Sequence, residues 1–310
     1  RAAELSKSDL VTDMVGEFDD LQGTMGRDYA LNDGEPEEVA EALFEQYLPR
    51  FAGDQVPETG TGTTLALADR LDSLVGIFSI GQQPSGSRDP FALRRASLGV
   101  LRIMIERKID LDLTQAINAA AAQFELSKEG DLSSDNICKQ VLTYIVDRFK
   151  SWYRDEGMAA EVFMAVTALE LSNPLDINAR VQAVNQFSQL PEAVALAAAN
   201  KRVANILAKQ LGDTVPAAVQ PALLQEPAEQ ALASAIRSLS QEVEPLVQQR
   251  DYSGILQKLA QLRKPVDGFF DKVMVMADDQ AIRDNRLALL FSLRQLFINV
   301  ADISQLAPTK

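Results

Sequence analysis

The sequence predicts an all-α protein on three observations. Apolar residues recur at three- and four-residue steps almost throughout, the spacing that gathers side chains on one helical face. No convincing run alternates apolar and polar residues as a half-buried strand does. Several helix starts are legible, and Gly, Pro, Ser and Thr collect between the periodic stretches.

The elements follow in chain order. In DLVTDMVGEFDDLQGTM, residues Val11, Met14, Val15, Phe18, Leu21 and Met25 share one face, which predicts a single helix. LALADRLDSLVGIFS is a second helix, flanked by the loop segments GDQVPETGTGTT and IGQQPSGSRDP within one domain. Asp89-Pro90 places a cap and a first-turn proline before FALRRASLGVLRIMIERK. KEGDLSSDN, from Lys128 to Asn136, reads as a domain boundary, and the helical pattern ICKQVLTYIVDRF follows it. SNPLDI and the proline-rich GDTVPAAVQPALLQEP separate later helices, with Leu190-Pro191 preceding EAVALAAANKRVANILAKQ. RDNRLALLFSLRQLFINVADISQL closes the chain, with Leu287, Leu290 and Leu293 on a core-facing side. No fixed-period repeat is present, which speaks against a solenoid and leaves a layered helical bundle.

At 310 residues, 46% hydrophobic and 24% charged, the chain can bury the core of two or three domains. Its apolar runs fall short of a membrane span, and RAAELSKSDL lacks the build of a secretory signal. The start at Arg1 reads as that of a fragment whose N-terminal part is missing. One cysteine, Cys138, allows no internal disulfide, and the expected compartment is the cytoplasm. With no histidine anywhere, imidazole-based triads, His/Cys zinc sites and histidine proton relays are excluded from this chain. Any catalysis would rest on carboxylates, lysine or tyrosine.

Net charge is −14, distributed as −11 over residues 1–130, −4 over 131–194 and +1 over 195–310. Only the last third is close enough to neutral for a local phosphate-binding surface, provided its basic residues gather on one face. Asp9, Asp13 and Glu17 recur every four residues, so a continuous helix aligns them as a solvated stripe or a carboxylate site completed by Asp69 or Asp72. Gly81 and Gly86, with Ser85, Ser87 and Arg88, hint weakly at a phosphate-friendly loop without matching a P-loop or dinucleotide pattern.

The segments SDLVTDMVGEFDDLQGTMGRDYA, ALADRLDSLVGIFSIGQ, DPFALRRASLGVLRIMIE, LPEAVALAAANKRVANILAK and FFDKVMVMADDQAIRDNRLALLFSLRQLFINVADISQL, taken in order, resemble the C-terminal half of the bacterial glycyl-tRNA synthetase beta subunit. That resemblance covers most of the chain and implies its organisation. Residues 1–130 resemble a degenerate HD-like helical domain, a relative of metal-dependent phosphohydrolases, in which ADRLDSL places the one mappable metal-ligand position on Asp69. The histidines of that superfamily are missing, so the implied domain is non-catalytic. Residues 131–190 would be a helical connecting region or part of the C-terminal domain, and residues 191–310 a helical-bundle anticodon-binding domain of the arginyl-tRNA synthetase type.

The resemblance further implies a tRNA-binding part of glycine–tRNA ligase. Its expected partners are tRNA-Gly and an alpha subunit, two of each subunit in the whole enzyme, with no DNA and no membrane. No cofactor is expected in this fragment; ATP and magnesium belong with the aminoacylation centre in the alpha subunit. The residues expected to touch tRNA are Asn200, Lys201, Arg202, Lys209, Arg283, Asn285 and Arg286, joined by Arg94 and Arg95 of DPFALRR. Arg and Lys engage phosphates, and Asn can pair with base edges. Plainer roles stand beside these. Arg283 and Arg286 could instead pair with Asp279 and Asp284, one of Arg94 and Arg95 could pair with Asp89, and Phe269 or Phe270 could stack on a base but more often such rings fill a core. Two alternatives stand beside this function: a metal-dependent phosphohydrolase of the HD type that the resemblance also suggests, built on the N-terminal carboxylates, or a purely structural module for subunit assembly.

Overall fold

The structure of the chain, a computed structural model, describes residues 1–86, 88–126, 130, 132–212 and 214–307. It is helical throughout, and the only β pairing among these residues is one isolated bridge between Ser85 and Arg88. No helix among them is long and apolar enough to cross a membrane. Two compact units emerge, residues 1–152 with 172–175 and residues 153–171 with 176–310. Residues 131–190 are therefore divided between the units. Of the expected boundary at 128–136, Lys128, Glu129 and Asp131 lie outside the described residues.

The first unit begins with short pieces: α1 (Ala2–Leu5), a 3₁₀ turn at Ser8–Val11, α2 (Asp13–Glu17), a second turn at Asp19–Leu21, and α3 (Thr24–Asn32). The single helix expected from DLVTDMVGEFDDLQGTM does not form. Thr12 is extended and caps α2 by accepting the Val15 N–H, while Gly23 takes φ +81° before α3. Asp9 fixes this arrangement from below, its buried carboxylate accepting the Gly23 N–H at 2.7 Å and the Tyr47 hydroxyl at 2.8 Å. Val15 goes inside, but Val11 and Phe18 remain 87% and 55% exposed. Apolar spacing cannot detect a break made by a buried carboxylate.

Helix α4 (Glu37–Glu45) leads into α5 (Gly60–Ser79), the central helix of this unit. Thr59 caps α5 by accepting the Gly62 N–H, and the Glu45 carboxylate receives the backbone N–H groups of Glu58 and Thr59. A Cβ on Gly62 would collide with that carboxylate, so glycine permits the close approach. Ala66, Leu67, Leu71, Leu74, Val75 and Phe78 bury the inner face of α5 against α4, α6 (Leu93–Glu106), α7 (Leu113–Ala121) and α8 (Ser134–Val146). Helix α6 starts three residues later than Asp89-Pro90 suggested. Ala92 is its N-cap, and Asp89 caps from upstream by accepting the N–H groups of Leu93 and Arg94, both at 2.9 Å. Helix α8 belongs to this unit because Ile137, Val141 and Ile145 are fully buried, and it packs on α5, α6 and α7. Cys138 lies on the same helix, buried, and burial raises its thiol pKa.

Helix α9 (Arg148–Asp155) follows α8, and the second unit contains α10 (Ala160–Thr167), most of α11 (Pro174–Ser188) and α12 (Ala193–Gln210). Then come α13 (Pro227–Gln248), α14 (Tyr252–Leu259), α15 (Arg263–Lys272) and α16 (Gln280–Ile298). Asp279 caps α16 by accepting the Ile282 N–H at 3.1 Å. From Asn285 to Leu290 every residue of α16 is buried, because the helix packs on α12, α13 and α14 at once. A 3₁₀ turn at Ile303–Leu306 closes the unit against α10 and α12. The Arg294 guanidinium grips Asp302 there with both nitrogens, at 3.0 and 2.7 Å.

Candidate functional site

In the first unit, Asp69 projects from α5 into a cavity of about 250 Å³ that Tyr47, Arg70, Ser73, Phe91 and Arg95 also line. One of its carboxylate oxygens is held by Lys7 at 2.9 Å, and the same ammonium sits 4.3 Å from the centre of the Tyr47 ring. Burial, and then the hydrogen bond to Asp9, raise the Tyr47 phenol well above its ordinary pKa. Arg70 lies behind Asp69 with its guanidinium donating to the carbonyls of Gln46, Ala66, Tyr47 and Pro49 at 2.9–3.3 Å. Burial lowers its pKa to about 10. Gly99 makes room for it, since a Cβ there would stand 2.6 Å from the Arg70 Nε.

The acidic stripe does not assemble, since Asp9 is buried in a 3₁₀ turn whereas Asp13 opens α2. Among the described residues no three His, Cys, Asp or Glu side chains gather as metal ligands. The loop around Gly81 and Gly86 uses its backbone internally, Ser85 and Arg88 exchanging N–H···O bonds at 3.2 and 2.9 Å; Ser87 lies outside the described residues. Arg94 donates to the Gly86 carbonyl, and Arg95, exposed on α6, donates to the Arg50 carbonyl at 3.2 Å.

The second unit sorts the expected tRNA contacts into two groups. Asn200 is 1% exposed on the inner face of α12, with its amide nitrogen donating to the Leu196 carbonyl at 3.0 Å. Asn285 is buried and pairs both ways with the Gln220 backbone, accepting at 2.7 Å and donating at 3.1 Å. Arg286 is buried in an ion pair with Glu229, itself 0% exposed, and also donates to the Met274 carbonyl at 2.7 Å. The other Glu229 oxygen accepts the N–H groups of Gln225 and Glu226 at 2.8 and 2.7 Å, so this buried pair is fully hydrogen-bonded. These three residues are corrected from surface contacts to internal braces. Within α16 the covered stretch is Asn285–Leu290, whereas Gln280, Ala281 and Asp284 ahead of it are exposed. Arg283 is half-buried and donates to the Ala277 carbonyl and the Gln280 side chain, rather than to Asp279 or Asp284.

Lys201, Arg202 and Lys209 do come together. With Ala198, Asn205 and Ile206 they recur at helical spacing along the outer face of α12, lining a groove of about 900 Å³ that Met276 and Ala307 complete. Lys201 is half-buried and reaches the Ala307 carbonyl at 3.4 Å; Arg202, Asn205 and Lys209 are exposed. The Arg202 guanidinium lies over the Phe270 ring, 4.3 Å from its centre, while Phe269 is wholly core and meets Phe270 edge-on at 5.5 Å. Asn205 and Ile206 were legible as the four-residue continuation of Lys201 and Arg202. Met276, far along the chain, carried no such signal.

The groove thus offers cations, an exposed amide and apolar surface together, a combination suited to phosphates and unpaired bases of RNA. Comparison with known proteins gives a family match in each unit. A family model described as glycyl-tRNA synthetase beta subunit matches residues 1–168, and one described as DALR anticodon binding domain matches residues 196–308. The chain is 58% identical over 309 residues to the glycine–tRNA ligase beta subunit of Marinobacter nauticus, and 57% and 55% identical over 307 residues to those of Chromohalobacter salexigens and Pseudomonas aeruginosa. The alignments cover 99–100% of this chain and 44% of each relative, so the chain spans less than half the length of the relatives it matches.

Proposed function

The chain belongs to the glycyl-tRNA synthetase beta-subunit family, and from that premise we propose that it is a tRNA-holding part of glycine–tRNA ligase whose α12 groove grips the anticodon arm of tRNA-Gly. The observation that carries this reading is the outer stripe of α12, where Lys201, Arg202, Asn205 and Lys209 line one groove within the part matched by the anticodon-binding model. Lysine and arginine there neutralise phosphates and release counterions, which supplies affinity and makes it fall with salt. Asn205 and the apolar groove wall face whatever bases the loop presents.

In this reading the chain performs no bond-making step. Aminoacylation, with its ATP and magnesium, takes place in a separate alpha subunit, two alpha and two beta subunits forming the cytoplasmic enzyme. Binding energy gained on α12 fixes the tRNA so that its acceptor end is presented to that centre. The phosphohydrolase alternative draws no support from Asp69, whose carboxylate is neutralised by Lys7.

Filter binding with tRNA-Gly tests the proposal. Replacing Lys209, which is exposed on α12, by alanine should weaken binding about 2- to 10-fold and reduce the salt slope by roughly one phosphate contact. Binding by the K209A chain at wild-type strength and slope, or no preference for tRNA-Gly over an unrelated tRNA in the parent chain, would count against it.

A further inference from the structure

Arginines in this chain are commonly absorbed by internal bonds: Arg70 by four carbonyls, Arg180 by Asp176, Arg286 by Glu229 and Arg294 by Asp302. Arg202 differs. It is exposed, makes no ion pair or hydrogen bond with the described residues, and is instead held over an aromatic ring. The ring itself is fixed, because Phe270 sits half-buried on α15 with the core residue Phe269 edge-on behind it, and α15 packs against α12. The guanidinium therefore stands between two rigid helices with one side covered and the other open to the groove.

The groove wall beside it does not look like a phosphate track. Ile206 and Met276 contribute apolar surface, and Asn205, three residues beyond Arg202 on the same face, makes no hydrogen bond with the described residues. A phosphate would gain nothing from the apolar wall. An unpaired nucleobase would gain from all three: a planar cation to stack on, an apolar edge, and an amide able to donate to and accept from its rim.

On the reading that α12 binds the anticodon arm, we propose that Arg202, backed by Phe270, is the stacking platform for one unpaired nucleobase, and that Asn205 reads that base's edge. Lysine cannot replace arginine in this role, because an ammonium is a point charge without a plane. Phe270 acts as a positioning residue through Arg202.

The experiment measures affinity of the full chain for a tRNA-Gly anticodon stem-loop across a salt series, using R202K, R202A, F270L and K209A, with circular dichroism as a check on folding. The hairpin is then remade with one abasic loop nucleotide at a time. R202A and R202K should both lose about 5- to 150-fold, the range expected for one stacked base. R202K should keep the parent salt slope, because its charge is retained. One abasic position should abolish the difference between parent and R202K, and F270L should shift affinity in the same direction as R202K. Wild-type affinity in R202K, or a penalty that no abasic position removes, overturns the platform and leaves Arg202 a phosphate contact. If K209A is also silent, the anticodon-arm reading fails as well. A K209A loss beside a silent R202K rejects the stacking alone.

Discussion

The two units hold similar polar residues and use them differently. In the first, polar groups are bonded to one another or to the backbone: Lys7 to Asp69, Arg70 to four carbonyls, Glu45 to the N–H groups just ahead of α5. In the second, inward pairs such as Arg286–Glu229 and Arg294–Asp302 brace the frame, and the outer face of α12 keeps Arg202, Asn205 and Lys209 available. The charge follows the same division, since residues 1–130 carry −11 and residues 195–310 carry +1. A basic residue is thus informative about RNA only once its internal partners are known. Counting arginines along the chain would have ranked the α16 start above α12.

Three substitutions break or sharpen this contrast. The largest effect is expected from Arg286→Ala, which takes the paired cation away from the buried Glu229 carboxylate and leaves it only the Gln225 and Glu226 N–H groups. It should cost about 3–5 kcal/mol in urea denaturation. Loss of tRNA affinity by a fully folded R286A chain, with stability unchanged, would return Arg286 to the RNA surface. Gly62→Ala in the first unit should cost about 1–3 kcal/mol, because the new methyl must displace the Glu45 carboxylate that braces the backbone just ahead of α5. An unchanged thermal midpoint would show that the Glu45 brace contributes little. The smallest effect should come from Asp69→Ala, which removes a partly exposed pair with Lys7 worth about 0–1 kcal/mol. Measurable metal-dependent phosphatase turnover in the parent that D69A abolishes would reverse the description of this unit as internally bonded.

Much of the fold was legible because helical periodicity is local. The segments LALADRLDSLVGIFS, EAVALAAANKRVANILAKQ and RDNRLALLFSLRQLF each contain the apolar spacing that α5, α12 and α16 bury. The misread helix at residues 9–25 failed for a reason that is not local. Asp9 reaches across the chain to Gly23 and Tyr47, and that network, not apolar spacing, decides where the backbone turns. The candidate site was half legible: Lys201, Arg202 and Lys209 line the groove, while Asn200, Asn285 and Arg286 are buried and bonded internally.

The sequence by itself determined the all-α class, most of the long helices, the missing imidazole chemistry and the family, because composition, spacing and long collinear motifs are properties of the chain alone. Tertiary structure decided which polar side chains remain available. Asn200 and Asn205 illustrate the division, lying about 140° apart around α12 at roughly 100° per residue. Register places them on different faces, but only the helices packed on one of those faces make Asn200 a buried brace and leave Asn205 open to the groove.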